Sequence, residues 1–288
     1  MNLRLLTIVG GEPYLTWMRN GLVPSLLWEK NRSAIRHAQW HIYTTLDLND
    51  RIIDICHRVG LDIVMHEIEP ITNGGITLAA VMRELIMDCA AEGDSFLVCP
   101  PDTIFGEQSL ETIVAMSREP HSVVSVAPVR VNPTFMDGFD GEPMSNARMV
   151  SRAWQHLHPT WRDANIRNPK INSFIGGVSW KQTADNLYSV THLLPTPFLI
   201  HPHPSDSEWF RLYGGPGTFD HHWPAKIVDE GRQRFIGSSD GAFAVEITNE
   251  NENLPPMYPT DPNNPSQYSC TNKHNHVNRN TVVIFRGE

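Results

Sequence analysis

Glycine and polar residues follow several short apolar runs of the chain, and together they could bind a phosphorylated ligand. Glycine lets a ligand approach the backbone, a tyrosine ring can stack on a base, and a carboxylate can hold a metal ion or a ribose. Each residue also has a plain structural interpretation, as a turn or a helix cap. Only their joint position after apolar runs favours binding. The candidates are Gly10, Gly11, Glu12, Tyr14, Thr44, Thr45, Asp47, Pro101, Asp102 and Arg130.

A second group of candidates is rich in histidine. His201 and His203 flank a proline, and Asp220 precedes His221 and His222. Histidine and carboxylate side chains are common ligands of zinc and manganese, and they also act as general bases. The spacing matches no defined metal site, so structural or surface histidines are the alternative. We predict that Asp220 is a base or a ligand of a sugar hydroxyl.

The elements that must position these residues alternate between apolar runs and amphipathic segments. Strands are predicted at residues 3–9, 41–44, 63–68, 95–99 and 122–128, and the clearest helix at 77–91. Apolar strands that alternate with helices are typical of an α/β fold with a mostly parallel, Rossmann-like central sheet covered on both faces. Such sheets bind ligands beyond the carboxyl ends of their strands. We therefore expect the first group of candidates to meet in one cleft.

The character of the sequence changes after residue 130. Residues 1–130 are predicted to form a nucleotide-binding α/β half, and 131–248 an acceptor or catalytic half of the same domain. Residues 249–288 are rich in proline and asparagine, which predicts an extended tail, with a short closing strand at 281–285.

Composition narrows the class of protein. The chain has 288 residues, 40% of them hydrophobic, and a formal net charge of −9. An acidic chain lacks the basic surface needed for non-specific binding to nucleic acid or anionic lipid. Four cysteines without metal-ligand spacing (Cys56, Cys89, Cys99 and Cys270) predict free thiols in a reducing compartment. With no signal-peptide pattern or membrane span in the sequence, we expect a soluble cytoplasmic protein, and peripheral membrane attachment stays open.

The segment from Ser95 to Phe105, followed by Gly106–Leu110, resembles the glycosyltransferase A fold. In that fold an apolar strand ends in an acidic motif, often Asp-x-Asp, that holds a divalent metal on the donor diphosphate. The preceding helix can carry a basic residue near the nucleotide, here Arg83. The resemblance extends in outline over residues 3–250 to bacterial and phage glycosyltransferase-like proteins. Its further motifs are Gly11-Glu12-Pro13-Tyr14, Pro24-Ser25-Leu26-Leu27, Gly217-Thr218-Phe219-Asp220 and Ser239-Asp240 to Glu246.

The resemblance implies a transferase that moves a sugar from a nucleoside-diphosphate sugar to a hydroxyl acceptor. Gly176, Gly177 and Trp180 would border the sugar or the acceptor. Proline at position 100 replaces the first aspartate of the motif, which leaves Asp102 alone and the need for Mn²⁺ or Mg²⁺ open. Arginine or a helix N-terminus could replace the metal, or His201, His203 or His222 could complete its ligand set.

The sequence leaves several acceptors and several classes of protein open. The acceptor could be a polysaccharide, a lipid-linked sugar, a protein or a modified DNA base, the last being the one role for nucleic acid that the charge allows. A nucleotidyltransferase is disfavoured because Gly10-Gly11-Glu12 carries no basic residue. A non-catalytic carbohydrate-binding or phage structural protein and a metal-dependent hydrolase built on the histidines are the other two classes.

Overall fold

The computed structural model describes residues 2–69, 74–117, 119–165, 178–192, 196–213, 223, 226–227, 229–249 and 282–288. Its strands are β1 (Leu3–Val9), β2 (Gln39–Thr44), β3 (Asp62–Glu67), β4 (Ser95–Val98), β5 (Thr103–Phe105), β6 (Val123–Val126), β7 (Val129–Val131), β8 (Val178–Ala184), β9 (Leu187–His192), β10 (Thr196–Ile200), β11 (Gln233–Phe235), β12 (Ala244–Ile247) and β13 (Val282–Arg286).

The α-helices are α1 (Glu12–Trp17), α2 (Val23–Leu27), α3 (Glu29–Ile35), α4 (Asn49–Cys56), α5 (Gly74–Glu92), α6 (Ser109–Met116), α7 (Asn146–Gln155), α8 (Pro159–Arg162) and α9 (Pro204–Tyr213). A π-helical turn, Met18–Leu22, joins α1 to α2, and 3₁₀ turns cover Leu46–Leu48 and Pro133–Met136.

Seven strands form the central sheet in the order β11-β6-β10-β4-β1-β2-β3. Strands β3, β2, β1 and β4 run parallel, as predicted, and so do β6 and β11 with each other. Strand β10 lies between β4 and β6 and is antiparallel to both. This single reversal places the end of β10 at the opposite edge of the sheet from the ends of its parallel neighbours.

Apolar side chains cover both faces of this sheet. On one face, Leu5 and Val9 of β1 pack with side chains of α2, α4 and α6, including Leu26, Ile52 and Leu110. On the other face, Leu6 packs with residues of α5 and α9, including Met82, Leu85 and Phe210. Burial on both faces explains why these strands read as nearly continuous apolar runs.

Two smaller sheets extend the fold. Strands β5-β12-β7 form one, and β13-β9-β8 form the other, so the predicted closing strand is confirmed. Both contribute to a second core with α7 and α8, which includes Phe243, Val245 and Phe285. Among the described residues, no helix combines the length and the apolar character that crossing a membrane requires.

The predicted α/β class and parallel sheet are confirmed, and several local expectations are corrected. Strands β5, β7 and β11 have three residues each, too few to show a periodic pattern. Helix α9 was not predicted, because it lies in a segment where the prolines and histidines just before it hide the helical periodicity. Cys56, Cys89 and Cys99 are buried free thiols, as expected, and Cys270 lies outside the described residues.

His41 on β2 predicts a specific acid sensitivity. The side chain is 7% exposed, and its Nδ1 lies 3.0 Å from Nε2 of His66. Burial, reinforced by His66, lowers the pKa of His41 from 6.5 to about 4. As the pH falls from 6.5 to about 4, His41 binds a proton in the unfolded chain before it does so in the folded chain. The free energy of unfolding therefore decreases over this pH range.

We expect His41→Phe to reduce this loss of unfolding free energy by up to about 3 kcal/mol. Urea unfolding of the wild type and the variant at pH 7, 5.5 and 4 measures it. The control is His37→Phe, because His37 is exposed. Equal slopes against pH in His41→Phe and in the wild type would contradict the assignment.

Candidate functional site

The turn after β4 holds Asp102 at the carboxyl end of the parallel strands. The amide of Thr103 donates to the carbonyl of Pro100 at 3.0 Å, which closes the turn, and Pro101 occupies the position where proline is favoured. The carbonyl of Asp102 accepts from the amide of Ile247 on β12 at 2.8 Å. The backbone of Asp102 is therefore held by a hydrogen bond to β12 and by the closed turn that follows β4.

A cavity of about 210 Å³ opens beside this turn, and we call it the donor cavity. Drug-sized ligands need about 300–1,000 Å³, so this cavity suits part of such a ligand, a base or one sugar ring. Most of the wall is apolar, and Asp102 and Tyr14 are the lining residues that have ionisable side chains. The lining residues are Leu6, Ile8, Gly10, Tyr14, Leu78, Val98, Pro100, Pro101 and Asp102.

The structure thus brings together four of the predicted binding residues: Gly10, Tyr14, Pro101 and Asp102. They come from the ends of β1 and β4, which are adjacent parallel strands. The ring of Tyr14 is 38% exposed and meets Trp17 edge-on, with 5.4 Å between ring centroids. This convergence at strand ends is the one that the sequence pattern led us to expect.

Gly11 sets the direction in which α1 leaves the sheet. Its backbone has φ 126° and ψ 172°, a conformation that L-residues rarely adopt, and its carbonyl accepts from the amide of Leu15 at 3.1 Å. An added Cβ would meet nothing within 4 Å, so the requirement for glycine is a backbone requirement. Gly11 therefore positions Tyr14, although it does not line the donor cavity.

We expect Gly11→Ala to lower the unfolding free energy by about 1–3 kcal/mol, the usual cost of this backbone conformation. Urea unfolding measures the change. Gly237→Ala is the control, since its Cβ would make only an ordinary contact, 3.7 Å from the carbonyl of Val282. A Gly11→Ala variant as stable as Gly237→Ala would show that the turn relaxes without cost.

Glu12, Thr44 and Thr45 lie near strand ends but are not among the lining residues. Glu12 pairs with Arg51, with 2.9 Å between Oε2 and Nη2, and this guanidinium lowers the pKa of Glu12. The hydroxyl of Thr44 is fully buried and donates to the carbonyl of Val9 at 3.0 Å. The carbonyl of Thr45 accepts from the amide of Leu48 at 3.1 Å. These contacts brace the sheet edge and its first helices.

Arg83 and Trp180 are also outside the donor cavity. Arg83 is half-buried in the middle of α5, five residues beyond Leu78. Trp180 is 7% exposed, its Nε1 donates to the carbonyl of Trp161 at 2.6 Å, and its ring packs against Trp154. Because its ring is enclosed in the second core, Trp180 does not border a sugar, and that expectation is corrected.

The histidines and Asp102 lie at opposite edges of the sheet. His201 follows β10, which is antiparallel to β4, and its Nδ1 lies 2.6 Å from the hydroxyl of Ser95 at the start of β4. Asp102 follows the end of β4, and an extended chain from residue 95 to residue 100 spans about 16 Å. His203 directly precedes α9, and its Nδ1 lies 2.8 Å from the hydroxyl of Ser205.

His201 and His203 therefore cannot complete a metal site with Asp102, which corrects that prediction. Burial lowers the pKa of His201, consistent with a neutral ring that is bonded to Ser95. Over the ranges that the structure describes, no group of three or more histidine, cysteine or acidic residues could hold a metal ion. The remaining predicted site residues, Gly176, Gly177, Asp220 and His222, lie outside the described residues.

Sequence reasoning missed the ion pair of Arg130 and Glu246. Their side chains approach to 3.1 Å, and Glu246 pairs with Thr103 in the strand register, one residue from Asp102. Arg130 was expected at the sheet edge, whereas Glu246 entered only as the end of the motif from Ser239 to Glu246. The pairing of β12 with β5 places Glu246 beside the Asp102 turn. No pattern within the sequence predicts that pairing.

No protein-family model matches the chain, and no curated protein matches it in sequence. One similar solved structure is GalNAc-T7 with UDP, GalNAc and Mn²⁺, at 13% identity and a TM-score of 0.47, over 93% of this chain and 48% of that one. A putative glucose-1-phosphate thymidylyltransferase from Bacillus anthracis is similar at 12% identity and a TM-score of 0.40, over 81% and 86% of the two chains.

TarS from S. aureus is similar at 15% identity and a TM-score of 0.34, over 46% of this chain and 36% of that one. The chain thus spans about a third of the TarS chain and about half of the GalNAc-T7 chain. At these identities and TM-scores the matches do not assign a function.

Proposed function

We propose that the chain is a glycosyltransferase that uses a nucleoside-diphosphate sugar, with its donor bound at the donor cavity. One observation carries the proposal: Asp102, on a braced turn, lines an apolar cavity at the carboxyl ends of parallel strands. Ligands of parallel α/β sheets bind at this edge. The apolar wall matches the ring face of a nucleotide sugar, and Asp102 could hold a cation that neutralises its diphosphate.

The lining residues divide between these two parts. Ile8 and Leu78 provide apolar contact for a base, and the half-exposed ring of Tyr14 provides a face for stacking. Gly10 lacks a side chain, so a ribose or phosphate can approach the backbone there. Asp102 is the polar end of the cavity, where the diphosphate or ribose would lie.

A divalent ion fits the one carboxylate at this place. Mg²⁺ is commonly held by one or two carboxylates together with phosphate oxygens of the substrate, and Mn²⁺ shares its preference for oxygen ligands. Asp102 is the residue that would hold it. Bound there, the ion would neutralise charge on the leaving nucleoside diphosphate.

The reaction forms a bond between an acceptor oxygen and the anomeric carbon of the donor sugar, and breaks the bond from that carbon to the diphosphate. The acceptor hydroxyl loses its proton to a base, which we propose is Asp220. The acceptor is a glycan or another hydroxyl compound. Gly176 and Gly177 are proposed to border the sugar, and His222 to be a further ligand of the metal ion.

Calorimetric titration with UDP and with GDP, each with and without Mn²⁺, tests the proposal. We expect one nucleoside diphosphate to bind per chain, and Mn²⁺ to tighten the binding. The same samples, supplied with UDP-linked and GDP-linked sugars, should release nucleoside diphosphate. Absence of binding by both nucleotides in both conditions would overturn the proposed function.

A further inference from the structure

A second recess, of about 230 Å³, lies between the π-helical turn and α4. We call it the arginine recess. Its lining residues are Arg19, Val23, Arg51, Asp54, Ile55 and Arg58. Val23 and Ile55 belong to the core on the Leu5 face of β1, whereas the donor cavity opens on the Leu6 face. The two cavities therefore lie on opposite faces of the sheet.

The sequence explains why these side chains meet. On α4, Arg51 and Ile55 are four residues apart, so they share one side of the helix, and Arg58 lies in the turn that follows the helix, three residues after Ile55. Ile55 is buried against the core and forms the floor, which leaves an arginine on each side of it. Arg19 stands on the π-helical turn, and such turns often occur at functional sites.

The charges in the arginine recess are unbalanced. Three guanidinium groups line it with one carboxylate, that of Asp54, in a chain of net charge −9. Arg51 is paired with Glu12 at the rim. Within the described ranges, Arg19 and Arg58 form no ion pair within 4.0 Å of an acidic side chain, and the nearby charge of Arg19 helps Arg51 to lower the pKa of Glu12. Like charges held around one recess repel, and an anion relieves that repulsion.

We infer that the arginine recess binds a phosphate group, at a site separate from the donor cavity. Guanidinium groups present paired donors that match phosphate oxygens, and they stay charged at every physiological pH. The apolar floor suits the carbon skeleton that carries the phosphate. Free phosphate compounds and a phospholipid headgroup share this chemistry, so the test separates the two sources.

The recess is connected to the donor cavity through α1. Glu12, which pairs with Arg51, and Tyr14, which lines the donor cavity, are two residues apart on this helix. A phosphate that binds Arg51 competes with Glu12 for the same guanidinium. Occupancy of the recess therefore acts on the first turn of the helix that carries Tyr14.

Inorganic pyrophosphate, titrated by calorimetry without divalent metal, is the first probe. We expect the double variant Arg19→Gln/Arg58→Gln to bind it at least about tenfold more weakly than the wild type, the effect of about one charged hydrogen bond. Asp102→Asn should bind it as the wild type does, which separates this site from the donor cavity. Raising the salt concentration should weaken the binding.

Arg148→Gln/Arg211→Gln is the matched control, since it removes the same charge from two exposed positions elsewhere. Flotation with phosphatidylcholine vesicles, with and without phosphatidic acid, is the second arm. Weaker binding by the Arg19/Arg58 variant, with unchanged binding by the control variant, supports the proposed phosphate site. The arm in which this difference appears identifies the source of the phosphate. No binding in both arms, or an equal loss in the control variant, overturns the inference.

Discussion

Replacement of Asp102 by asparagine is expected to weaken nucleoside-diphosphate binding about 10- to 100-fold and to abolish sugar transfer. The estimate follows from the loss of about 1.5–3 kcal/mol for one interaction with a charged group. Asparagine keeps the shape and the turn preference of aspartate. The backbone bonds from Thr103 and Ile247 do not involve the side chain, so the turn should persist.

Calorimetry with UDP and GDP in the presence of Mn²⁺ measures this effect. Asp88→Asn is the control, because Asp88 is an exposed residue of α5 that does not line the donor cavity. Thermal unfolding of both variants checks that the fold is intact. A folded Asp102→Asn variant with unchanged nucleotide affinity and transfer would remove Asp102 from the mechanism.

Tyr14→Ala is expected to weaken nucleotide binding by about 1–3 kcal/mol, which corresponds to about 5- to 150-fold. This is the usual contribution of one ring stacked on a base. The ring lines the donor cavity and is 38% exposed, so its loss opens a wall of the site without emptying the core. Competition with labelled UDP or GDP would quantify the change.

Tyr14→Phe distinguishes stacking from hydrogen bonding. Phenylalanine keeps the ring and its edge contact with Trp17 but lacks the hydroxyl. We expect Tyr14→Phe to bind within about threefold of the wild type, a change below 1 kcal/mol. If phenylalanine were as damaging as alanine, the hydroxyl rather than the ring face would be the important group.

The central sheet and one half of the candidate site could be predicted from the sequence. Buried parallel strands leave long apolar runs, and the carboxyl ends of such strands meet at one edge. That reasoning predicts that Gly10, Tyr14 and Asp102 lie in one cleft, and the structure places all three around one cavity.

The positions of the histidines could not be predicted by the same reasoning, because an apolar run does not indicate the direction of its strand in the sheet. His201 follows an apolar run just as Asp102 does, but β10 is antiparallel to β4. The reversal moves His201 to the far edge of the sheet. The position of the Trp180 ring could not be predicted either. A tryptophan in a strand gives the same sequence pattern whether its ring contacts a ligand or packs in a core.

Residues whose neighbours are distant in sequence were also beyond prediction. Glu246 reaches the Asp102 turn only through the pairing of β12 with β5. The arginine recess depends on the packing of the π-helical turn against α4, and a five-residue π segment looks like ordinary helix in sequence. Ile8 and Leu78 line the donor cavity, although their apolar character alone predicts core.

A crystal structure of the protein with Mn²⁺ and the nucleoside diphosphate that binds more tightly is the most direct test. It should reveal the base against Tyr14 and Leu78, with the diphosphate or its ion in contact with the carboxylate of Asp102. A nucleotide found elsewhere on the protein, with that carboxylate touching neither phosphate nor metal nor ribose, would contradict the proposed donor site.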